Sequence, residues 1–314
     1  MNVYMDYDMD RGIAVKVLNY GSLNLDYVYH VDHFVQPGET LSARSQTVTA
    51  GGKGLNQSIA LAKAGAEVYH AGCFGIGGDN LVDLLNNSGV DTTFLQSTDE
   101  IQGNTVIQVV PSGENNILLF GGSNQCVTPQ QINHTFSVFS EGDYLVLQNE
   151  INNLPLIVDK AYEQGMRIVL NPSPYNECLD AVDFSKISWL LMNEVETFQI
   201  SKCDQPEEAW NMLHETYPKL SVLITMGSRG SVAYRVLDSK VETARQEVFP
   251  VRAVDTTAAG DTYTGFFIGG LLQGRPLQEC MKRASMAAAL GVTKLGAAAS
   301  IPTQAEVEDA LSKK

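Results

Sequence analysis

Between residues 53 and 225 the chain changes its period repeatedly. Short runs rich in Val, Ile and Leu alternate with segments whose apolar residues recur at helical spacing. Strands are expected at 67–74, 92–96, 144–148, 167–170, 189–192 and 220–225. Helices are expected at 58–65, 80–88, through the 130s, and at 155–164 and 207–217. A strand, a helix and a second strand laid beside the first require a crossover, which makes the two strands parallel. The fold class is therefore α/β: a mostly parallel central sheet flanked by helices on both faces. A buried strand at 13–20 precedes the series. Strands at 231–236 and 246–249 and apolar helices at 258–272 and 276–291 complete it.

Two stretches break the alternation. Residues 27–49 alternate loosely around Pro37-Gly38, and residues 101–121 flank the turn Pro111-Ser112-Gly113-Glu114-Asn115. Together they make a small β-sheet lid, leaving 11–26, 50–100 and 122–314 as the α/β body and 1–10 as a disordered extension. A four-stranded lid has an apolar face and edges that invite pairing.

Composition narrows the function. The formal charge of 21 − 36 = −15 argues against nucleic acid as a partner, since a phosphate backbone needs a basic face. A small anion can still sit in a local cradle. The five cysteines are odd in number, widely spaced and without Cys-x-x-Cys, which suggests neither disulfides nor zinc and points to a reducing cytoplasm. No uncharged apolar run approaches the ~20 residues of a membrane span. The five histidines are scattered without ligand spacing.

The chemistry concentrates near 254–267, where small polar residues lead into an apolar helix. The helix's first amides have no internal partner, and Ala258, Ala259 and Gly260 leave them bare. That combination makes an anion cradle, with Asp261 in the same turn as a carboxylate base. An ordinary acidic first turn is the plain alternative. Asn193 and Glu196 share one helix face, as a capping box or as groups for metal and phosphate. Thr225-Met226-Gly227-Ser228-Arg229-Gly230 follows a strand as a tight loop. Asn24 and Asp26 lie at the end of the first strand, where turn chemistry or a ligand would both place them. Lys53 is a solvated helix-start lysine or a ligand contact. Neither a P-loop nor the Gly-x-Gly-x-x-Gly dinucleotide turn is present.

Two motifs together are more specific. Gly51-Gly52-Lys53-Gly54-x-Asn56 and the distant Asp255-Thr256-x-Ala258-Ala259-Gly260-Asp261-Thr262 resemble the paired signatures of the ribokinase-like sugar kinases, the phosphofructokinase-B family. The resemblance runs from 21 to 302. It implies ATP-dependent phosphorylation of a sugar hydroxyl, D-ribose first among candidates, with Asp261 as base and Ala258–Gly260 as anion hole. Asn24, Asp26, Gly51, Gly52, Lys53, Asn56, Glu150 and Asp255 become sugar contacts. Asn193, Thr225, Gly227, Ser228, Gly230, Gly260 and Ser285 become ATP contacts. Glu196 would serve Mg2+ through water. Asp255, Thr257, Gly291, Lys294, Gly296 and Ser300 would hold a monovalent cation, K+, mostly by carbonyls. The family's habit of burying the lid face implies a homodimer. Leu55, the run Gln102-Gly103-Asn104-Thr105 and Ser285 depart from the common pattern. Another pentose, a ketose or a nucleoside remains an alternative substrate. A catalytically idle sugar sensor is the reading from a different class.

Overall fold

The computed structural model describes residues 15–313. The expected extension at 1–10 and the first residues of the 13–20 strand lie outside them. In chain order the strands and helices are β1 (Lys16–Tyr20), β2 (Asn24–His30), β3 (Ser45–Gly51), α1 (Lys53–Lys63), β4 (Glu67–Ile76), α2 (Asp79–Asn87), β5 (Asp91–Ile101), β6 (Asn104–Val109) and β7 (Asn115–Phe120). There follow α3 (Pro129–Thr135), β8 (Tyr144–Gln148), α4 (Leu154–Glu163), β9 (Arg167–Asn171), β10 (Trp189–Asn193), α5 (Glu194–Ser201), α6 (Pro206–Thr216) and β11 (Ser221–Thr225). The last elements are β12 (Ser231–Leu237), β13 (Lys240–Gln246), α7 (Ala259–Leu272), α8 (Leu277–Gly291) and α9 (Gln304–Ser312).

Nine strands form the main sheet in the order β13-β12-β11-β10-β9-β8-β1-β4-β5. It is parallel from β11 to β5 and antiparallel only where β12 and β13 join it. Successive residues of the central strands feed opposite cores. Leu145, Leu147, Ile168 and Leu170 pack with α3, α4 and α6, while Val146 and Val169 pack with α1, α2, α7, α8 and α9. Burial on both faces explains why these strands read as continuous apolar runs. From β1 the chain winds one way through β4 and β5 and the other way through β8 to β11. The β1/β8 boundary is thus the switch point, where an open sheet offers a crevice at its C-terminal edge.

The second sheet runs β3-β2-β6-β7, with β2 and β6 parallel and the other pairs antiparallel. It reaches beyond 27–49 on both sides, because Asn24 pairs with Gly51 and Leu25 with Ala50 and Asn104.

Four expectations need correction. The strand expected at 92–96 is β5, which runs on to Ile101 and pairs it with Ile76, so the main sheet takes the first residue expected in the lid. The final strand is β13, not 246–249: Asp238 and Ser239, both at positive φ, close a tight hairpin that pairs Leu237 with Lys240. Val248 and Phe249 are apolar but stand outside the strand, which is a mostly exposed edge strand with little apolar signal. Helix α1 begins at Lys53 rather than 58, since Gly52 caps it directly. Helix α9 is an element that the periodicity does not predict; a capping box of Thr303 and Glu306 starts it.

Helices α1 and α7 determine the geometry of the site. A Cβ on Gly265 would lie 2.4 Å from the Cβ of Ala60 and one on Gly269 2.7 Å from that of Ala64. Each step is four residues on both helices, so they run side by side in the same direction, backbones nearly touching. One turn earlier, the same register sets Asp261 beside Asn56 and Gln57. Both N-termini then face the crevice.

Candidate active site

A cavity of about 230 Å3 opens there, lined by residues from five separate parts of the chain. Lys53 comes from α1, Asn171 ends β9 and Ser173 follows it, Asn193 and Glu196 come from the β10–α5 junction, Thr225 ends β11, and Ala258–Asp261 open α7. Asn193 and Thr225 are register partners at the ends of neighbouring strands.

Asp261 is 6% exposed and borders this cavity. Its Oδ2 accepts from Asn56 Nδ2 at 3.1 Å and its Oδ1 from Gln57 Nε2 at 2.9 Å. Gln57 is held in turn, since its Oε1 accepts from Gln148 Nε2 at 2.7 Å. The carboxylate therefore has a defined orientation and remains an acceptor. Asn56 Oδ1 is buried without a partner. A buried acceptor left open in this way suits a ligand hydroxyl.

The helix start differs from expectation in one respect. Ala258 is the N-cap, at φ 59 and ψ 12, rather than part of the first turn. Left-handed alanine is strained by about 1 kcal/mol or more. The compensation is a change of backbone hand just before a helix, which turns successive N–H groups to one side as an anion nest. Ala259 N is drawn to Thr256 O at 3.2 Å. The amides of Gly260 and Asp261 precede the first intrahelical bond, from Thr262 N to Ala258 O at 2.8 Å. A Cβ at Gly260 would meet nothing within 4 Å, so open space lies beside it.

Asn193 and Glu196 form a complete capping box: Glu196 accepts from Asn193 N at 2.8 Å and Asn193 Nδ2 at 2.9 Å, and Asn193 Oδ1 accepts from Glu196 N. The cap and a ligand role are compatible, since each carboxylate oxygen keeps a second lone pair and both residues line the cavity. In the loop after β11, Gly227 and Gly230 take left-handed φ, and Arg229 is tied to Glu194 of α5. Ser285 is buried in α8, donating to Glu247 O at 3.2 Å.

Asn24, Asp26, Gly51, Gly52, Asn56 and Glu150 do not line this cavity; they form a cluster of polar groups on the other side of Lys53. Asp26 is buried against Gly51, where a Cβ would fall 1.9 Å from its Oδ2; only glycine permits that approach. Thr105 Oγ1 donates to Asp26 Oδ1 at 2.7 Å. Burial pushes the Asp26 carboxyl up to about 6, partly offset by Thr105 and reinforced by the charges of Glu150 and Asp261. Asn24 Oδ1 accepts from Asn124 Nδ2 at 2.8 Å. Glu150 accepts from Ser22 Oγ and from Lys53 N, joining the two strand ends at the switch point. Burial raises its pKa against the opposing pull of Lys53. For Lys53, burial favours the neutral amine, but Asp261, Glu150 and Glu196 outweigh it and hold the ammonium above the ordinary lysine value.

Asp255 bridges two loops. Its Oδ1 accepts from Thr257 N and Oγ1 at 2.9 and 2.6 Å, and its Oδ2 from Gly296 N at 2.9 Å. Burial alone would raise its pKa; these bonds lower it. Gly291 O accepts from Lys294 N, and Ser300 Oγ donates to Ala297 O. The Lys294 ammonium turns away to Glu306 at 3.2 Å, so its charge does not oppose a cation among the loop carbonyls.

Gln57, Ser22, Thr105 and Asn124 were not singled out as site residues from the sequence. Gln57 had a signal: it adjoins Asn56 on a helix whose Ala60 and Ala64 match Gly265 and Gly269 four residues at a time. The other three carry none, because their partners are 79 to 128 residues away.

The pfkB family carbohydrate kinase profile matches residues 15–304. The chain is 34% identical over 298 residues to a ribokinase of Haemophilus influenzae, covering 91% of this chain and 95% of that protein. It is 27% identical to a deoxyribokinase of Salmonella typhi, covering 93% and 97%. Among solved structures it resembles a ribokinase from Cryptococcus neoformans in complex with ADP, at TM-score 0.83 and 30% identity, covering 95% of this chain and all of that one.

Proposed function

The chain belongs to the pfkB family of carbohydrate kinases, and from that premise we propose that it transfers the γ-phosphoryl group of ATP to D-ribose, giving D-ribose 5-phosphate and ADP. The observation carrying this reading is one cavity bordered by Asp261, the opening amides of α7, Lys53 and the Asn193/Glu196 pair.

In the proposed mechanism the sugar binds among Asn24, Asp26, Gly51, Gly52, Asn56 and Glu150, with one hydroxyl at Asp261. The proton passes to the Asp261 carboxylate, the freed oxygen bonds to the γ-phosphorus, and the bond to the bridging oxygen breaks to release ADP. The Gly260 and Asp261 amides and the Lys53 ammonium stabilise charge on the phosphoryl oxygens. Ala258 acts through its left-handed turn, and Ala259 lends at most a shared amide. Thr225, Gly227, Ser228, Gly230 and Ser285 are the groups proposed for the nucleotide.

Glu196, with Asn193, would hold Mg2+ through water beside the ATP phosphates, where the ion supplies charge neutralisation. Among the described residues no cluster of three or more acidic, His or Cys side chains could hold a metal. Mg2+ keeps most of its waters, so one carboxylate acting through water, with the ATP phosphates, would hold it. Asp255 with the carbonyls of Thr257, Gly291, Lys294 and Gly296, and Ser300, would hold K+, which strengthens the positive end of the cradle. The cytoplasm is the proposed location; among the described residues no helix is long and apolar enough to cross a membrane.

The test is ADP release measured as kcat/KM over ribose, deoxyribose, ketoses and nucleosides, with and without potassium. Ribose is expected to lead. Sugar-independent ATP consumption, or none, would overturn the reading, and a nucleoside in first place would move the substrate. The deoxyribokinase relative makes the 2-hydroxyl comparison the most informative pair.

Sugar capture should depend on pH through Asp26. Its ionised form accepts hydroxyl bonds, and its pKa is about 6, so kcat/KM should fall below that pH. The expected slope is about tenfold per unit. Asp26→Asn should flatten this limb at a much lower plateau. The stability sign is the reverse. Because folding raises this pKa, ionisation costs stability, by nothing below the ordinary value of 3.8, increasingly up to about 6, and constantly above. Asp26→Asn should therefore melt higher than the parent at pH 8.

We also propose a homodimer through the lid. Val48, Tyr27, Val106 and Leu118 are register partners on the face opposite Asp26, with Leu118 72% exposed. Sedimentation should find a dimer that Leu118→Glu converts to monomer; a monomeric parent at micromolar concentration would refute it.

A further inference from the structure

The strands that end at the candidate active site begin at a second, larger cavity. It measures about 940 Å3 and is bordered by Tyr144, Arg167, Trp189 and Ser221, the first residues of β8, β9, β10 and β11. The C-terminal end of α7 closes another side, through Leu271 and Gly274. The cleft therefore sits at the opposite edge of the sheet from Asp261.

Its charge is unlike the rest of the molecule. Among the described residues, Arg167, Lys186, Lys219, Arg235, Lys240 and Arg275 line it, against the carboxylates of Asp238 and Glu242, a balance of 6 − 2 = +4 over those lining residues. The chain as a whole carries −15. Two of these cations are neutralised: Lys186 by Asp159 at 2.7 Å, and Arg235 by Glu242. Lys219, Lys240 and Arg275 have no carboxylate within 4 Å among the described residues. Arg275 Nε donates to Gln273 Oε1 at 2.7 Å. Lys219, Lys240 and Arg275 face one remaining lining carboxylate, Asp238, so positive charge is in excess and a bound anion relieves the repulsion. Neutral donors are available too. The hydroxyls of Ser188 and Ser221 accept from Ile168 N at 3.1 Å and Val236 N at 3.0 Å, bonds that leave their own protons to donate.

We propose that this cleft binds a small phosphate-bearing anion with at least two negative charges, at a site separate from the catalytic one. A lone carboxylate would balance one cation of three. A phosphate ester or pyrophosphate answers several at once, and its oxygens suit ammonium, guanidinium and hydroxyl donors arriving from different sides.

The probe is inorganic pyrophosphate, titrated calorimetrically into the full chain with a non-hydrolysable ATP analogue held at one equivalent, enough to fill the catalytic cavity without flooding the cleft. One further equivalent should bind, more weakly as ionic strength rises. Lys219→Ala with Lys240→Ala should weaken that binding about tenfold or more, since two unpaired charges are lost. Both lysines are exposed, so kcat and melting temperature should be unchanged. Arg275→Gln provides an independent variant with the same expected direction. Complete suppression of pyrophosphate binding by the ATP analogue, or an unaltered Kd in both variants, would overturn the proposal.

Discussion

Asp261→Asn should lower kcat by about 10²–10⁴-fold, the usual span for loss of a general base, while sugar affinity measured by calorimetry stays within a few-fold of the parent. The carboxamide matches the carboxylate in shape but cannot take the hydroxyl proton. The surrounding network tolerates it for a specific reason. In the parent both oxygens receive amide N–H groups, from Asn56 and Gln57. An asparagine presents one oxygen and one nitrogen, so one neighbour must offer an acceptor. Gln57 cannot turn without breaking its bond from Gln148. Asn56 can, because its Oδ1 has no other partner. The variant should therefore fold and melt near the parent, which separates loss of chemistry from loss of structure. A kcat within tenfold of the parent would remove Asp261 from the role of base.

Lys53→Met should have the next largest effect, a fall of about 10²–10³-fold in kcat, comparable to deletion of one group that stabilises transition-state charge. The ammonium borders the cavity between Asp261, Glu150 and Glu196, whose fields keep it protonated despite burial. Methionine retains the stem and removes the charge. A second consequence follows from Glu150, whose raised pKa is held in check partly by Lys53. Without that charge Glu150 should protonate at higher pH, and its own acid limb in kcat/KM, distinct from that of Asp26, should move upward. A kcat loss with no movement of that limb would leave Lys53 a phosphoryl contact only. A variant with parental kcat would return it to the status of a helix-start lysine.

The α/β class, the parallel sheet and the separate small sheet were legible because each rests on local periodicity. Buried parallel strands are apolar throughout, and helices repeat their apolar residues at helical spacing. The β13 hairpin and α9 were less legible. β13 is a mostly exposed edge strand with little apolar signal, and α9 follows a loop whose Thr303–Glu306 box is only four residues long. At the candidate site, Asp261, the bare helix start and the Gly51–Asn56 run were visible as motifs. The αL turn of Ala258 was not, since alanine carries no mark of a strained φ.

What the chain's order of residues determined alone was which chemical groups exist and on which kinds of element they lie: a carboxylate in a first helical turn, glycines where backbone must approach, a lysine at a helix start. Tertiary structure decided which of them meet. Asp261 reaches Asn56 and Gln57, 205 and 204 residues away, because small residues let α1 and α7 pack in contact and in phase. Ser22 reaches Glu150 because β1 and β8 are neighbours at the switch point. Such meetings depend on strand order and helix register, which arise from packing the whole core and leave no local trace in either segment.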